Sequence, residues 1–316
     1  MKKSVGNAYG YRIHNETLLK YTQKYAEITN DAKDVLFILS PEFFTYQFPD
    51  KRNWLFTMFE GLDFPDFFKE HIQKADRVLT PSTWVKSLFT TIFPEEKIFV
   101  VPHGVEPEFT YIHRQYPILS PFRFLWVGAA NPRKGFEEII GIWDLIFSKQ
   151  PEYELYIKTT GSGKLERKGN VIFDSRNISQ EELIKIYHES HCFLFPTRGE
   201  GFGLTLAEAL ATGLPCIATG FSGHMDFFSE GVGWPIPYEI RDATLTVVEG
   251  EHKGEVLKTR TAYCQVEEFI KAMIEVLANY KGAIERASWG ARLIRTKYTW
   301  DNSAKTLVNI FREHGG

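Results

Sequence analysis

The sequence predicts an α/β protein made of two parallel-sheet units, and three observations carry that expectation. Short apolar runs alternate with helical patterns along most of the chain, the arrangement that builds parallel sheets with crossover helices. The alternation breaks once, at 105–121 (VEPEFTYIHRQYPILSP), where there is no clean period and three prolines fall close together. At 316 residues the chain is also longer than one core usually supports. The expected organisation is a first unit over 1–105, a linker over 106–121 and a second unit over 122–299. A terminal helix, about 300–314, is expected to pack back on the first unit.

In chain order, residues 6–11 (GNAYGY) read as a glycine loop and 15–26 as a helix with an imperfect apolar face. Strands are expected at 35–39 (closed by Ser40-Pro41), 54–59, 77–79 and 97–101. Helices are expected at 67–75 and after Ser82, whose hydroxyl suits an N-cap. In the second half, 122–127, 155–157 and 171–173 read as strands, and 137–147 and 181–190 as helices. Val266, Phe269, Ile270, Met273, Ile274 and Leu277 make the clearest helical stripe, followed by helical segments at about 283–295 and 302–312. Residues 239–262 mix strand formers with charges and receive no assignment. The first unit looks short, with only 1–5 ahead of the glycine loop, which is too little for a well-formed opening strand.

Composition removes several classes of function. A net charge of −3 argues against a protein that mainly grips nucleic-acid backbone. Cys192, Cys216 and Cys264 have neither paired nor metal-ligand spacing and read as reduced core residues of a cytoplasmic protein. No apolar run approaches bilayer-spanning length, and the first residues lack a signal-peptide core. Lys2, Lys3, Lys20 and Lys24 give a modest basic bias, compatible with peripheral contact to an anionic membrane surface and equally with solvated charge. The abundant aromatics read as core filling.

Residues 192–219 (CFLFPTRGEGFGLTLAEALATGLPCIAT) form the most informative stretch: strand, loop, helix, strand. Gly199, Gly201 and Gly203 alternate before the helix, and the first amides of that helix are unpaired donors at its positive end. Together they suit an anion such as a diphosphate. Glu200 and Glu208 lie about two helical turns apart, too far to share one proton or metal easily, and spaced to hold different parts of a long ligand. Carboxylates bind vicinal hydroxyls well. Thr205-Leu206-Ala207-Glu208 also fits a capping box, which would make Glu208 a helix-start residue and no more.

The stretch 197–219 resembles the signature of glycosyltransferase family 4, retaining enzymes of the GT-B fold with two Rossmann-like domains facing a cleft. Their E-x7-E motif appears here between Glu200 and Glu208. The segments 75–82 (ADRVLTPS), 100–106 (VVPHGVE) and 124–135 (FLWVGAANPRKG) agree in order and spacing. The resemblance implies that Glu208 holds the nucleotide ribose and that Glu200 contacts the transferred sugar. It also implies that Gly201, Phe202, Gly203, Leu204 and Thr205 wrap the diphosphate, near Gly128, and that Lys134 neutralises the leaving group. The family's usual arginine after the strand-ending glycine is Ala129 here, with Arg133 close enough in sequence to substitute. Glu60 stands where many members carry a histidine. The family's G-G-x-x-E appears as 222–226, with Asp226 for the glutamate. Gly10, Tyr11 and His14 are candidates for the acceptor side.

There is no Asp-x-Asp and no close histidine pair of metal-binding spacing, so no metal and no cofactor is expected. The expected activity is metal-independent, retaining transfer from a nucleotide-sugar donor to an unknown acceptor, whether glycan, lipid-linked sugar, protein or small molecule. The alternatives are an inert sugar-nucleotide-binding module, or another GT-B enzyme such as a phosphorylase or an epimerase.

Overall fold

A computed structural model describes residues 9–29, 31–118, 121–161, 163–246 and 254–315. Four strands, β1 (Asp34–Ile38), β2 (Arg52–Phe56), β3 (Arg77–Thr80) and β4 (Ile98–Val100), form an all-parallel sheet in the order β1-β2-β3-β4. Helix α1 (Tyr9–Thr22) precedes it, and α2 (Asp66–Ile72) and α3 (Thr83–Phe89) connect its strands. Ser82 caps α3, its Oγ accepting from the Val85 amide at 3.2 Å.

The second sheet has seven strands: β5 (Phe122–Val127), β6 (Tyr153–Lys158), β7 (Leu165–Lys168), β8 (Val171–Asp174), β9 (Cys192–Phe195), β10 (Cys216–Thr219) and β11 (Trp234–Ile236). Their order is β11-β10-β9-β5-β6-β8-β7, parallel throughout except for β7 against β8. From β5 the chain moves outward through β6 and β8, then returns to place β9 on β5's other side. The loops after β5 and β9 therefore diverge around a topological switch point, where open sheets of this kind bind ligands. Helices α4 (Phe136–Ile146), α5 (Gln180–Glu189) and α6 (Leu204–Ala211) cross over within this unit, and α7 (Val266–Ala278) and α8 (Tyr280–Lys297) follow it.

Each sheet is covered on both faces by apolar side chains. Phe124, Trp126, Trp143, Leu194 and Phe269 pack in one layer of the large sheet, and Leu125, Phe193, Phe195, Leu206 and Leu210 in the other. Burial of this kind, worth about 25 cal/mol per Å² of apolar area, is what holds such sheets. After α8 the chain returns to the first unit. Val105 bridges Thr299, and α9 (Trp300–His314) lays Trp300, Ala304 and Leu307 against Leu18, Trp54, Phe56 and Leu79. The return needs Gly104, because a Cβ there would lie 1.9 Å from the Trp300 nitrogen. The connecting segment is pinned by Arg114, whose guanidinium donates to the carbonyls of Tyr187, His188 and Ser190 at the end of α5, and of Thr212 and Gly213 just past α6. A cation at two helix C-termini meets both their unpaired acceptors and their negative dipole ends.

Several expectations need correcting. Half of the expected glycine loop, 6–8, lies outside the described residues, but Gly10 and Tyr11 sit in the first turns of α1 rather than in a loop, and the helix ends at Thr22 rather than at residue 26. Residues 57–59 leave the strand early. Strand β7, whose side chains (LERK) are all exposed, is not among the expected elements. The unassigned 239–262 contains a long antiparallel hairpin, β12 (Tyr238–Thr246) with β13 (Val256–Cys264).

Candidate active site

Glu200 lies in the loop between β9 and α6, buried and surrounded by positive charge. Lys134 Nζ, from the short 3-10 turn after β5, donates to both its carboxylate oxygens at 2.6 and 2.8 Å. Thr197 Oγ1 donates to Oε1 at 2.9 Å, and Arg133 Nη1 stands 3.4 Å away. The Glu200 amide donates to Ser222 Oγ at 2.9 Å. Burial works against the carboxylate's charge, but Lys134 and Arg133 outweigh it and hold its pKa at about 2. Burial also pulls Lys134 below the ordinary lysine value, against the opposing attraction of Glu200. Burial opposes the charge of Arg133 too, yet Glu60 and Glu200 together raise it.

Arg133 thus reaches Glu200 from the same turn as Lys134. Its Nη1 donates to the Gly199 carbonyl at 2.7 Å and its Nη2 lies 3.7 Å from Glu60 Oε1. Glu60, from the first unit, thus closes a ring of charges with Arg133, Lys134 and Glu200. Gly128 ends β5 beside Lys134, and a Cβ added to it would stand 3.7 Å from Lys134 Cγ.

Glycines allow the two units to meet here. A Cβ at Gly199 would lie 2.1 Å from the Glu60 carbonyl oxygen, and one at Gly201 would lie 2.5 Å from Met58 Sδ. Gly203 takes φ +91° at the N-cap of α6, a left-handed conformation open to glycine at little cost. The Gly201 carbonyl accepts from Ser82 Oγ at 2.7 Å, and Asp226 accepts from the Thr83 amide at 2.7 Å. Asp226 is thus an anchor for the start of α3. Ser222 holds φ 81°, a strained value for a side-chain-bearing residue, while its hydroxyl fixes the Glu200 amide.

Glu208 sits partly buried on α6, and Tyr187 of α5 donates to its Oε2 at 2.9 Å. Burial raises its pKa to about 7, with the tyrosine bond pulling the other way. The helix N-cap is Gly203, so Glu208 is not the N3 residue of a Thr205 capping box; that reading is set aside. Leu204 and Thr205 open α6, where the first amides have no intrahelical partner. Phe202 is buried against His103, Phe227 and Tyr298, so only its backbone is left for the loop's ligand side.

His14 does not stand on an open acceptor surface. It is buried among Phe56, His103 and Trp300, with ring centroids 4.4, 4.1 and 5.7 Å away. Burial lowers its pKa and that of His103, the latter to about 3, so both rings are neutral near pH 7. Gly10 and Tyr11 lie on the opening turns of α1, ahead of His14. His188 lies against the Thr110 carbonyl, and His191 Nδ1 accepts from the Arg123 amide. Among the described residues there is no group of three or more His, Cys, Asp or Glu side chains placed to hold a metal ion, and no helix long and apolar enough to cross a membrane.

Sequence reasoning missed Tyr187, Thr197, Ser222 and the Thr83–Asp226 contact. Thr197 and Ser222 lie inside motif segments, three residues before Glu200 and at the first position of 222–226, and hydroxyls at those positions were the available signal. Tyr187 had none beyond its place on an amphipathic helix.

Two parallel-sheet units meeting over a charged switch-point loop define the GT-B class, and solved structures of that class share the architecture. Sucrose-phosphate synthase from Thermosynechococcus elongatus aligns with a TM-score of 0.67 at 15% identity, covering 98% of this chain and 80% of that one. The apo form of the lipopolysaccharide outer core galactosyltransferase WaaB gives 0.62 at 18% identity, covering 98% and 83%. A family model described as "Family 4 Glycosyltransferase in conflict systems" matches residues 165–307. An uncharacterized glycosyltransferase of Methanocaldococcus jannaschii is 25% identical over 205 residues, 60% of this chain and 55% of that one. A probable sucrose-phosphate synthase of Thermosipho melanesiensis is 26% identical over 249 residues, 71% and 50%. These matches bear out the resemblance read from the motifs: the chain is similar to family 4 glycosyltransferases and has the GT-B fold. It spans about half the length of these two relatives.

Proposed function

We propose that the protein is a retaining glycosyltransferase that moves a hexosyl group from a nucleoside-diphosphate sugar to an acceptor hydroxyl without a metal ion. The observation that carries this reading is the Lys134–Glu200–Arg133 cluster set in front of the α6 N-terminus, with Glu208 about two turns further on. The α6 amides and Lys134 would receive the diphosphate, Glu208 the ribose and Glu200 the sugar. Two fixed cations in a water-poor site supply what a divalent ion supplies elsewhere, stabilisation of charge developing on the leaving diphosphate.

In the structure Lys134 is committed to Glu200. Donor binding exchanges one anionic partner for another, so the ammonium is never left bare. The donor's anomeric C–O bond to phosphate then breaks as the acceptor oxygen forms its bond on the same face. The acceptor's proton passes to the departing phosphate oxygen, so no separate base is required. Close apposition of Met58 and Glu60 to the 199–201 loop serves to exclude water, which would otherwise hydrolyse the donor.

The test is a panel of UDP-, GDP- and ADP-sugars, read by the shift in melting temperature and by release of the nucleoside diphosphate. At least one donor is expected to raise Tm and to be slowly hydrolysed, with hydrolysis lost in Glu200→Ala. Binding with no turnover on any acceptor would favour an inert binding module, and no shift with any donor would overturn the reading.

A further inference from the structure

The hairpin β12–β13 joins neither sheet, yet it touches both walls of the charged centre. On the first unit, the Leu62 amide donates to the Arg260 carbonyl at 3.0 Å, and Arg260 forms a two-pronged pair with Asp63 at 2.8 and 2.9 Å. Leu245 packs against the first unit's apolar core. On the second unit, the Ala262 amide donates to the Arg198 carbonyl at 3.0 Å, and the Arg198 guanidinium lies over the Tyr263 ring at 4.2 Å. Between the hairpin and these walls is a cavity of about 860 Å³.

Its position follows from its lining. Asp63 is three residues past Glu60, Pro132 immediately precedes Arg133, and Arg198 is two before Glu200, so the cavity flanks the charged ring. None of its lining residues comes from α5 or α6, the helices that hold Glu208 and Tyr187, so it is separate from the expected nucleotide position. Its chemistry is balanced: Arg198, Lys258 and Arg260 face Asp63, Glu137 and Asp242. Three charges of each sign favour neither an anionic nor a cationic ligand. Arg260 and Asp63 satisfy one another, which leaves Lys258 as a donor beside the acceptors Asp242 and Glu137, a mixture that suits a ligand whose every group both donates and accepts, which is what a hydroxyl does. The volume is ample for a small saccharide.

We propose that this cavity is the acceptor subsite and that it takes a neutral saccharide, oriented by Asp242 and Lys258 of the hairpin. The inference rests on the transferase reading above. Asp242 and Lys258 are exposed, so replacing them leaves the core intact.

The test is saturation-transfer NMR on the full chain with glucose, mannose, galactose, maltose and lactose, with glucuronate and glucosamine as charged controls. It is run on the wild type and on the Asp242→Ala/Lys258→Ala variant. At least one neutral sugar is expected to bind the wild type, better than either charged control, and about tenfold more weakly to the variant, the equivalent of ~1.4 kcal/mol. Equal binding to both proteins, preference for a charged sugar, or no binding by any neutral sugar would overturn the subsite. The donor-induced Tm shift is measured on the same two proteins. If it persists in both while the saccharide result fails, the subsite falls and the transferase reading stands; if it is absent from both, the transferase reading itself has failed.

Discussion

Replacing Lys134 with methionine removes the ammonium and keeps most of the side-chain bulk. Glu200 then loses its bonds at 2.6 and 2.8 Å and retains Thr197 Oγ1 at 2.9 Å and Arg133 at 3.4 Å. Breaking a buried ion pair by removing one member costs about 3–5 kcal/mol when the other charge is left alone. Here Arg133 remains within reach, so the expected cost is about 2 kcal/mol, a fall in Tm of roughly 3 °C for a chain of this size. The sign of the pH dependence is fixed by Glu200. Its folded pKa of about 2 lies below the ordinary 4.5, so its contribution is complete above pH 4.5 and is lost as pH falls through 2. Without Lys134 the folded pKa rises toward 4.5, and the stability gap between the two proteins should narrow between pH 4.5 and pH 3. Thermal denaturation at pH 7 and pH 3 reads both effects, and turnover should fall by about 10²-fold or more with loss of charge stabilisation. An unchanged Tm at pH 7, or a gap of the same size at pH 3, would refute the reasoning.

Other consequences are equally direct. Glu208, at about 7, ionises across the neutral range, so donor affinity should rise between pH 6 and pH 8 as the carboxylate becomes a full acceptor for ribose hydroxyls. Glu208→Gln should flatten that rise in a titration of affinity against pH. Because its folded pKa is raised, the wild type should also lose stability relative to Glu208→Gln as pH climbs from 4.5 through 7. Ser222→Ala keeps the strained φ and loses the bond to the Glu200 amide, for a cost of about 1–2 kcal/mol; Ser222→Gly relieves the strain and should cost about 1 kcal/mol less by chemical denaturation. Gly104→Ala forces a Cβ onto the Trp300 backbone and should destabilise by about 3 kcal/mol, read as a lowered denaturation midpoint.

The sequence was most legible where chemistry and chain connectivity coincide. The 192–219 stretch announced a strand, a glycine loop and a helix, and the structure sets Glu200 in that loop with Lys134 brought to it from the loop after β5. Alternation of apolar runs was enough to read most strands of both sheets, because parallel strands buried on both faces are apolar throughout. The hairpin escaped because much of it is exposed and paired only with itself, so charges interrupt both strands and no clear period-2 contrast survives. Strand β7 escaped because it lies at the edge of the large sheet with every side chain exposed. Glycines favour a loop by propensity, yet Gly10 lies within α1. Tyr187, which donates to Glu208 from 21 positions away, was invisible because its role depends on α5 crossing beside α6. His14 is an acceptor-side candidate by sequence, whereas α1 turns it inward against His103 and Trp300.

The most direct test of the Lys134–Glu200 site as a sugar-transfer centre is proton NMR of the sugar released or transferred from the donor identified in the nucleotide-sugar panel. It is recorded before mutarotation, with wild type and Glu200→Ala side by side. The expected result is a product with the donor's own anomeric configuration, formed by the wild type and absent from the variant. A product of inverted configuration, or one formed equally well without Glu200, would contradict the assignment.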